Sequence, residues 1–329
     1  MRTKSQLFIM NVLKICIVLS AFTALISCKK SPEETTGRTE ISLDSVTIMP
    51  HLTNNMVINL EIKKTRKIEN KLNPQTASST WDVELKINKS GNNQWLGSWN
   101  IKRIRVPSNS NALSKKLEGI ALGFDYKFSL DSTGSVIELL NWKEIRNKGL
   151  QAMEVIIADT KQFETLDEQV ENQIRSTIGG MFETKEMVET FAMQEVLLYF
   201  TLSGMGFHKA DTVEFYTYTT NPITYDLIGM TVKTVFQKAY SDSTCDIQVI
   251  QTVDKQDMKK TLSNTMNSLA TKKTSNINKE NVDVDVDVTV ITIFNVSLKT
   301  GLVEKVTSTK EITAGTEKRT DIIEITRKK

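Results

Sequence analysis

Residues 281–298 carry the longest alternation of apolar and polar side chains in the chain. Val282, Val284, Val286, Val288 and Val290 occupy every second position, and Phe294, Val296 and Leu298 continue the same phase. A period of two is the pattern of a strand with one buried face. Such a strand needs neighbours on both sides and a core beneath it, so this stretch commits the chain to a sheet. Other segments carry the same period. Residues 41–49 and 56–68 alternate, and the charges from Lys63 onward predict that the far end of the second projects into solvent. Residues 80–88 place Trp81, Val83, Leu85 and Ile87 on one face. Residues 94–106 return after a Ser-Gly-Asn-Asn turn and change phase between Ile101 and Ile104, which predicts a bulge. Residues 122–130 and 135–140 form a hairpin around Asp131-Ser132-Thr133-Gly134. Strands resume at 211–219, 223–240, 244–253, 302–312 and 319–327, with two strands joined at Gly229, or one strand bulged there, in the second of these.

Between the two strand-rich regions the period changes. Asn141 with Glu144 fits a capping box, and helical spacing continues through Met153, Ile156, Ile157 and Phe163. Thr165 with Glu168 opens a second helix that ends at Gly179-Gly180. A third helix is expected over 184–203. Residues 254–280 are polar, with a short helix expected at 257–269. The hairpin Phe128-Ser129-Leu130-Asp131-Ser132-Thr133-Gly134 is echoed by Val296-Ser297-Leu298-Lys299-Thr300-Gly301, and Lys143-Glu144-Ile145 by Lys310-Glu311-Ile312. These matches predict two related β-meanders flanking a helical insert.

The N-terminus gives an address. Arg2, Lys4 and Lys14 precede an apolar run over 15–26, too short to span a bilayer comfortably, and Leu25-Ile26-Ser27-Cys28 follows. This segment resembles the bacterial lipoprotein signal. The resemblance implies cleavage between Ser27 and Cys28 and acylation of Cys28, with acyl chains that hold the chain to a membrane. Cleavage removes three of the 42 basic residues and none of the 39 acidic ones, so the mature chain is balanced. That balance gives no support to nucleic-acid binding. Residues 28–39 hold no large apolar side chain and read as a flexible tether. With Cys28 acylated, Cys245 has no intramolecular disulfide partner.

The order of lipobox, β-rich half, helices and a second β-rich half ending in Leu298-Lys299-Thr300-Gly301-Leu302-Val303-Glu304 resembles the uncharacterised envelope lipoproteins of Bacteroidota. Residues 206–215 are similar to their Gly-Asp-x-Trp strand start, with Lys209-Ala210-Asp211 in place of Gly-Asp and Phe215 in place of Trp. The resemblance implies no activity and carries over no functional residue.

Motifs for chemistry are weak. Asp283, Asp285 and Asp287 open like a calcium loop, but Val288 and Phe294 stand where that loop needs Gly and Glu. A solvated strand face explains them better. His51 and His208 lack ligand-spaced partners in sequence, so no metal is expected. Cys245 lies in an expected strand and reads as inert. Trp95 and Trp99 share a strand face. With Met187, Phe191, Leu198 and Tyr199 of the third helix they either fill the core or line an apolar ligand cavity.

The fold expected is α+β: a curved antiparallel sheet or incomplete barrel from two related meander halves with a central three-helix insert. The divisions are signal peptide 1–27, tether 28–39, first half 40–140, insert 141–206 and second half 207–329. The function expected is that of a non-enzymatic envelope lipoprotein, without cofactor, lipid-anchored at the outer membrane, binding an apolar ligand or a partner protein. A structural scaffold is the alternative, and a carboxylate-dependent hydrolase the weakest reading.

Overall fold

The computed structural model describes residues 39–69, 74–91, 93–106, 112–122, 124–163, 168–209, 211–220, 226–269, 286–315 and 317–328. The signal segment, Cys28 and nearly all of the tether lie outside the described residues, as do Asp283 and Asp285. The strands are β1 (Glu40–Ile41), β2 (Ser45–Thr47), β3 (Met56–Glu69), β4 (Gln75–Lys89), β5 (Trp95–Arg105), β6 (Asp125–Leu130) and β7 (Val136–Leu139), then β8 (Gly206–His208), β9 (Thr212–Thr220), β10 (Leu227–Tyr240), β11 (Thr244–Val253), β12 (Val286–Ser297), β13 (Val303–Ala314) and β14 (Glu317–Arg327). The helices are α1 (Ala112–Ala121), α2 (Trp142–Phe163), α3 (Glu168–Gly180), α4 (Lys185–Ala192), α5 (Gln194–Phe200) and α6 (Lys255–Leu269).

The main sheet is antiparallel throughout and open. Its order is β1-β10-β11-β12-β13-β14-β3-β4-β5-β6-β7, with β9 also on the outer edge of β10. Two consecutive meanders, β3–β7 and β10–β14, are joined through the pairing of the last strand with the first long one, β14 with β3. The sheet curls. Tyr199 on α5 donates to the Val303 carbonyl of β13 at 3.2 Å and meets the Trp99 ring of β5 edge-on at 6.0 Å. In a flat sheet those strands lie four spacings apart, about 19 Å, beyond the reach of one side chain. The concave face therefore wraps α5, and one core cluster runs from Leu60, Leu85 and Trp99 to Phe236, Ile247 and Phe294.

The two echoed hairpins meet the same segment. Gly134 (φ +83°) and Gly301 (φ +64°) both turn in the left-handed region, where a side chain strains the backbone. A Cβ on Gly134 would lie 3.0 Å from Pro50, and one on Gly301 only 2.0 Å from the Met49 carbonyl oxygen. His51 N donates to Thr300 O, and Gly204 N donates to Ile48 O. Residues 48–51 are thus wedged between the hairpins.

Several expectations need correction. Residues 41–49 form two short strands, not one: β1 pairs β10 and β2 pairs β8 in a separate two-stranded sheet. The helix expected over 184–203 is broken at Met193 (φ −101°, ψ 15°), giving α4 and α5. Residues 112–121, outside every expected element, form helix α1. β10 runs unbroken through Gly229; its register shift lies between Phe236 and Lys238. Asn141 ties α2 to the sheet rather than capping it: Oδ1 accepts from Lys127 N at 3.0 Å, and Nδ2 donates to Asp125 O and Glu144. The expected bulge in β5 is present at Lys102, opposite Asp82 and Val83.

Candidate functional site

A cavity of about 350 Å³ lies between the concave face at β3–β5 and the helices. Trp81, Ile101 and Ile104 form its floor, because alternation on β4 and the bulge on β5 turn them to the concave side. Helix α2 supplies Ile145, Ala152, Met153 and Ile156 at helical spacing, and α1 supplies Leu117 and Ala121. Phe182 and Phe191 close one side. Gly149 allows this closure: a Cβ there would lie 2.3 Å from the Phe182 ring. The volume and the apolar lining are those of a small-molecule pocket.

Polar groups gather along one wall. Lys64 pairs with Glu195 of α5 at 2.5 Å and sits 3.7 Å above the Trp81 ring. Tyr126 also lines the cavity, and burial raises its phenol well above the usual range, with Glu195 adding to the effect. Arg66 lines the same wall. Its Nε donates to Asp321 Oδ1 at 2.5 Å, and Arg319 Nη2 donates to Asp321 Oδ2 at 2.5 Å. Register explains the cluster: Lys310, Asp321 and Arg66 stand directly opposite one another on β13, β14 and β3. Lys64 and Arg66 continue the phase of Ile58, Leu60 and Ile62, so they face the concave side and not the solvent, against the expectation for this end of β3.

Beyond this row lies a second apolar group, Ile228, Val253 and Val288, with Met258 of α6 and Ile312 packed against it. The charged row therefore divides two apolar compartments. The convex face is of another kind, laced with solvent-reaching ion pairs such as Arg103–Asp82 and Lys305–Glu324.

Of the six residues read as candidate ligand lining, Phe191 lines the cavity. Trp99 and Tyr199 are buried against each other in the solid core, and Trp95 and Leu198 pack on its margin. Met187 lies on α4 and is not among the cavity residues. The physical reason is the break at Met193, which turns α5 into the core and leaves the cavity beside α4, under α2 and α1. Sequence reasoning missed Arg66, Asp321, Arg319 and Lys310, which come together across as many as 255 positions. Cys245 is fully buried on β11, and burial, with Asp246 adding, pushes its thiol up to about 12. His51 and His208 are exposed. Asp287 pairs with Lys255 at 2.6 Å. Among the described residues no group of three or more His, Cys, Asp or Glu is placed to hold a metal ion.

No family model and no curated protein matches the chain. Among solved structures it is similar to lipovitellin, in an entry on lipid–protein interactions, with TM-score 0.38 and 9% identity over 84% of this chain and 25% of that one. The chain thus spans about a quarter of lipovitellin's length. DynF of the dynemicin biosynthesis pathway of Micromonospora chersina gives TM-score 0.19 and 8% identity over 92% and 94% of the two chains. An outer membrane lipoprotein-sorting protein domain from Vibrio parahaemolyticus gives TM-score 0.15 and 10% identity over 82% and 83%. These scores are too low to carry an argument about fold or function.

Proposed function

We propose that the chain is a non-enzymatic envelope lipoprotein that takes an apolar ligand into the cavity between β3–β5 and α1–α2. The observation that carries this reading is the cavity itself: about 350 Å³ walled by aliphatic and aromatic side chains, where a well-packed core leaves few voids larger than a water. The lipobox ending at Cys28 supports a membrane anchor, where apolar ligands are at hand. Extraction of the full chain, purified from cells without detergent, followed by mass spectrometry of the extract tests it. A stoichiometric apolar compound is expected; an extract without one, from folded protein, contradicts it.

A partner-protein reading rests on β9. This edge strand leaves Val213, Phe215, Tyr216 and Tyr218 about half exposed, and exposed apolar edges favour pairing with another chain. Crosslinking in cells through position 216 captures one dominant partner if this reading holds, and none if it does not.

A further inference from the structure

We propose that Arg66, Arg319 and Lys310 hold the anionic head, a carboxylate or phosphate, of a single-chain amphiphile whose tail lies in the cavity. The inference rests on the apolar-ligand reading and adds the chemistry of the head. Arg66 connects the two parts, because it lines the cavity and belongs to the charged row. The row carries three cations and one carboxylate. Both oxygens of Asp321 are already taken, by Arg66 and by Arg319.

One buried donor remains unmet: Arg319 Nε has no hydrogen-bond partner among the described residues. Lys310 adds a further positive charge beside it, standing opposite Asp321 and Val290. Burial, with Arg319 adding, lowers this ammonium to about 8. A buried donor without a partner is costly to the fold. Guanidinium groups match carboxylate and phosphate oxygens in pairs, so an anion supplies what the row lacks. A cationic or neutral head leaves the excess charge unanswered. The nearby hydroxyls do not compete, since Thr292 and Ser308 bond each other at 2.5 Å.

Titration calorimetry of the full chain with dodecanoate, dodecyl phosphate and dodecanol tests the inference. At least one anion is expected to bind about tenfold more tightly than the alcohol or better, and the tighter anion names the head. Lys310→Met keeps a long unbranched side chain; it is expected to cut that preference about fivefold or more while dodecanol affinity moves less than about twofold. Equal affinity for all three compounds overturns the head-group assignment and leaves the apolar-ligand reading standing. No binding of any of them overturns both. A preference unchanged in Lys310→Met removes Lys310 from the site. If that variant does not fold, the wild-type comparison of heads still decides.

Discussion

Asp321→Ala is the most informative single change in the charged row. The carboxylate is 1% exposed and holds two guanidinium groups, Arg66 at 15% and Arg319 at 20% side-chain exposure. Without it, Arg66, Arg319 and Lys310 face one another on the concave side and the carboxylate they share is gone. Removing one partner of a buried pair costs about 3–5 kcal/mol. Two cations lose their partner here, which argues for the upper end; the partial solvent access of both guanidiniums argues for the middle, about 4 kcal/mol. At an m-value of about 3 kcal/mol/M the urea midpoint falls by about 1.3 M. The quadruple replacement Arg66→Met, Lys310→Met, Asp321→Leu, Arg319→Met removes the ions together and is expected to be near neutral, because well-packed apolar groups substitute for a buried network at little cost. A midpoint shift below about 0.3 M in Asp321→Ala refutes the reasoning. So does a quadruple variant as unstable as the single, which assigns the loss to packing.

Gly301→Ala is expected to destabilise by about 2 kcal/mol or more, since a left-handed backbone and a Cβ 2.0 Å from the Met49 oxygen add together. Gly315→Ala, with φ +57° and open space around its Cβ, controls for the backbone term in the same thermal melts, and equal losses contradict the wedge at residues 48–51. Lys310 titrates near 8 when folded and near 10.5 when unfolded. The unfolded chain therefore binds more protons between those values, and stability from this group rises as pH climbs from about 8 to 10.5, by roughly 3 kcal/mol. Buried Tyr126, Tyr199 and Cys245 are shifted upward and act in the opposite sense, so the wild-type minus Lys310→Met difference in urea stability isolates the ammonium, and a flat difference contradicts its burial beside Arg319.

Much of the sheet is legible in the sequence because alternation is local. Val286 to Val296 keeps one phase and becomes β12, and the phase change between Ile101 and Ile104 marks the bulge in β5. Helix α1 escapes because Leu113, Leu117 and Ile120 make only a short stripe, with Gly119 inside it. The break at Met193 is hidden because apolar spacing continues across it; Met193 itself is buried. The cavity is less legible still. Its position follows from where α1 and α2 land on the sheet, and its charged wall from the pairing of β14 with β3, which no local pattern encodes. Lys63 to Glu69 reads as a solvated strand end, yet Lys64 and Arg66 are drawn inward because their phase is that of Leu60 and Ile62.

The central claim is that the cavity takes up an apolar ligand. Fluorescence titration of the full chain with N-phenyl-1-naphthylamine, for wild type and Ala152→Phe, tests it most directly, because Ala152 lines the cavity and is 2% exposed. A single saturable isotherm is expected in wild type, displaced by dodecanol and lost in a folded Ala152→Phe. Uptake that is absent in wild type, or that persists unchanged when the cavity is filled, contradicts the account.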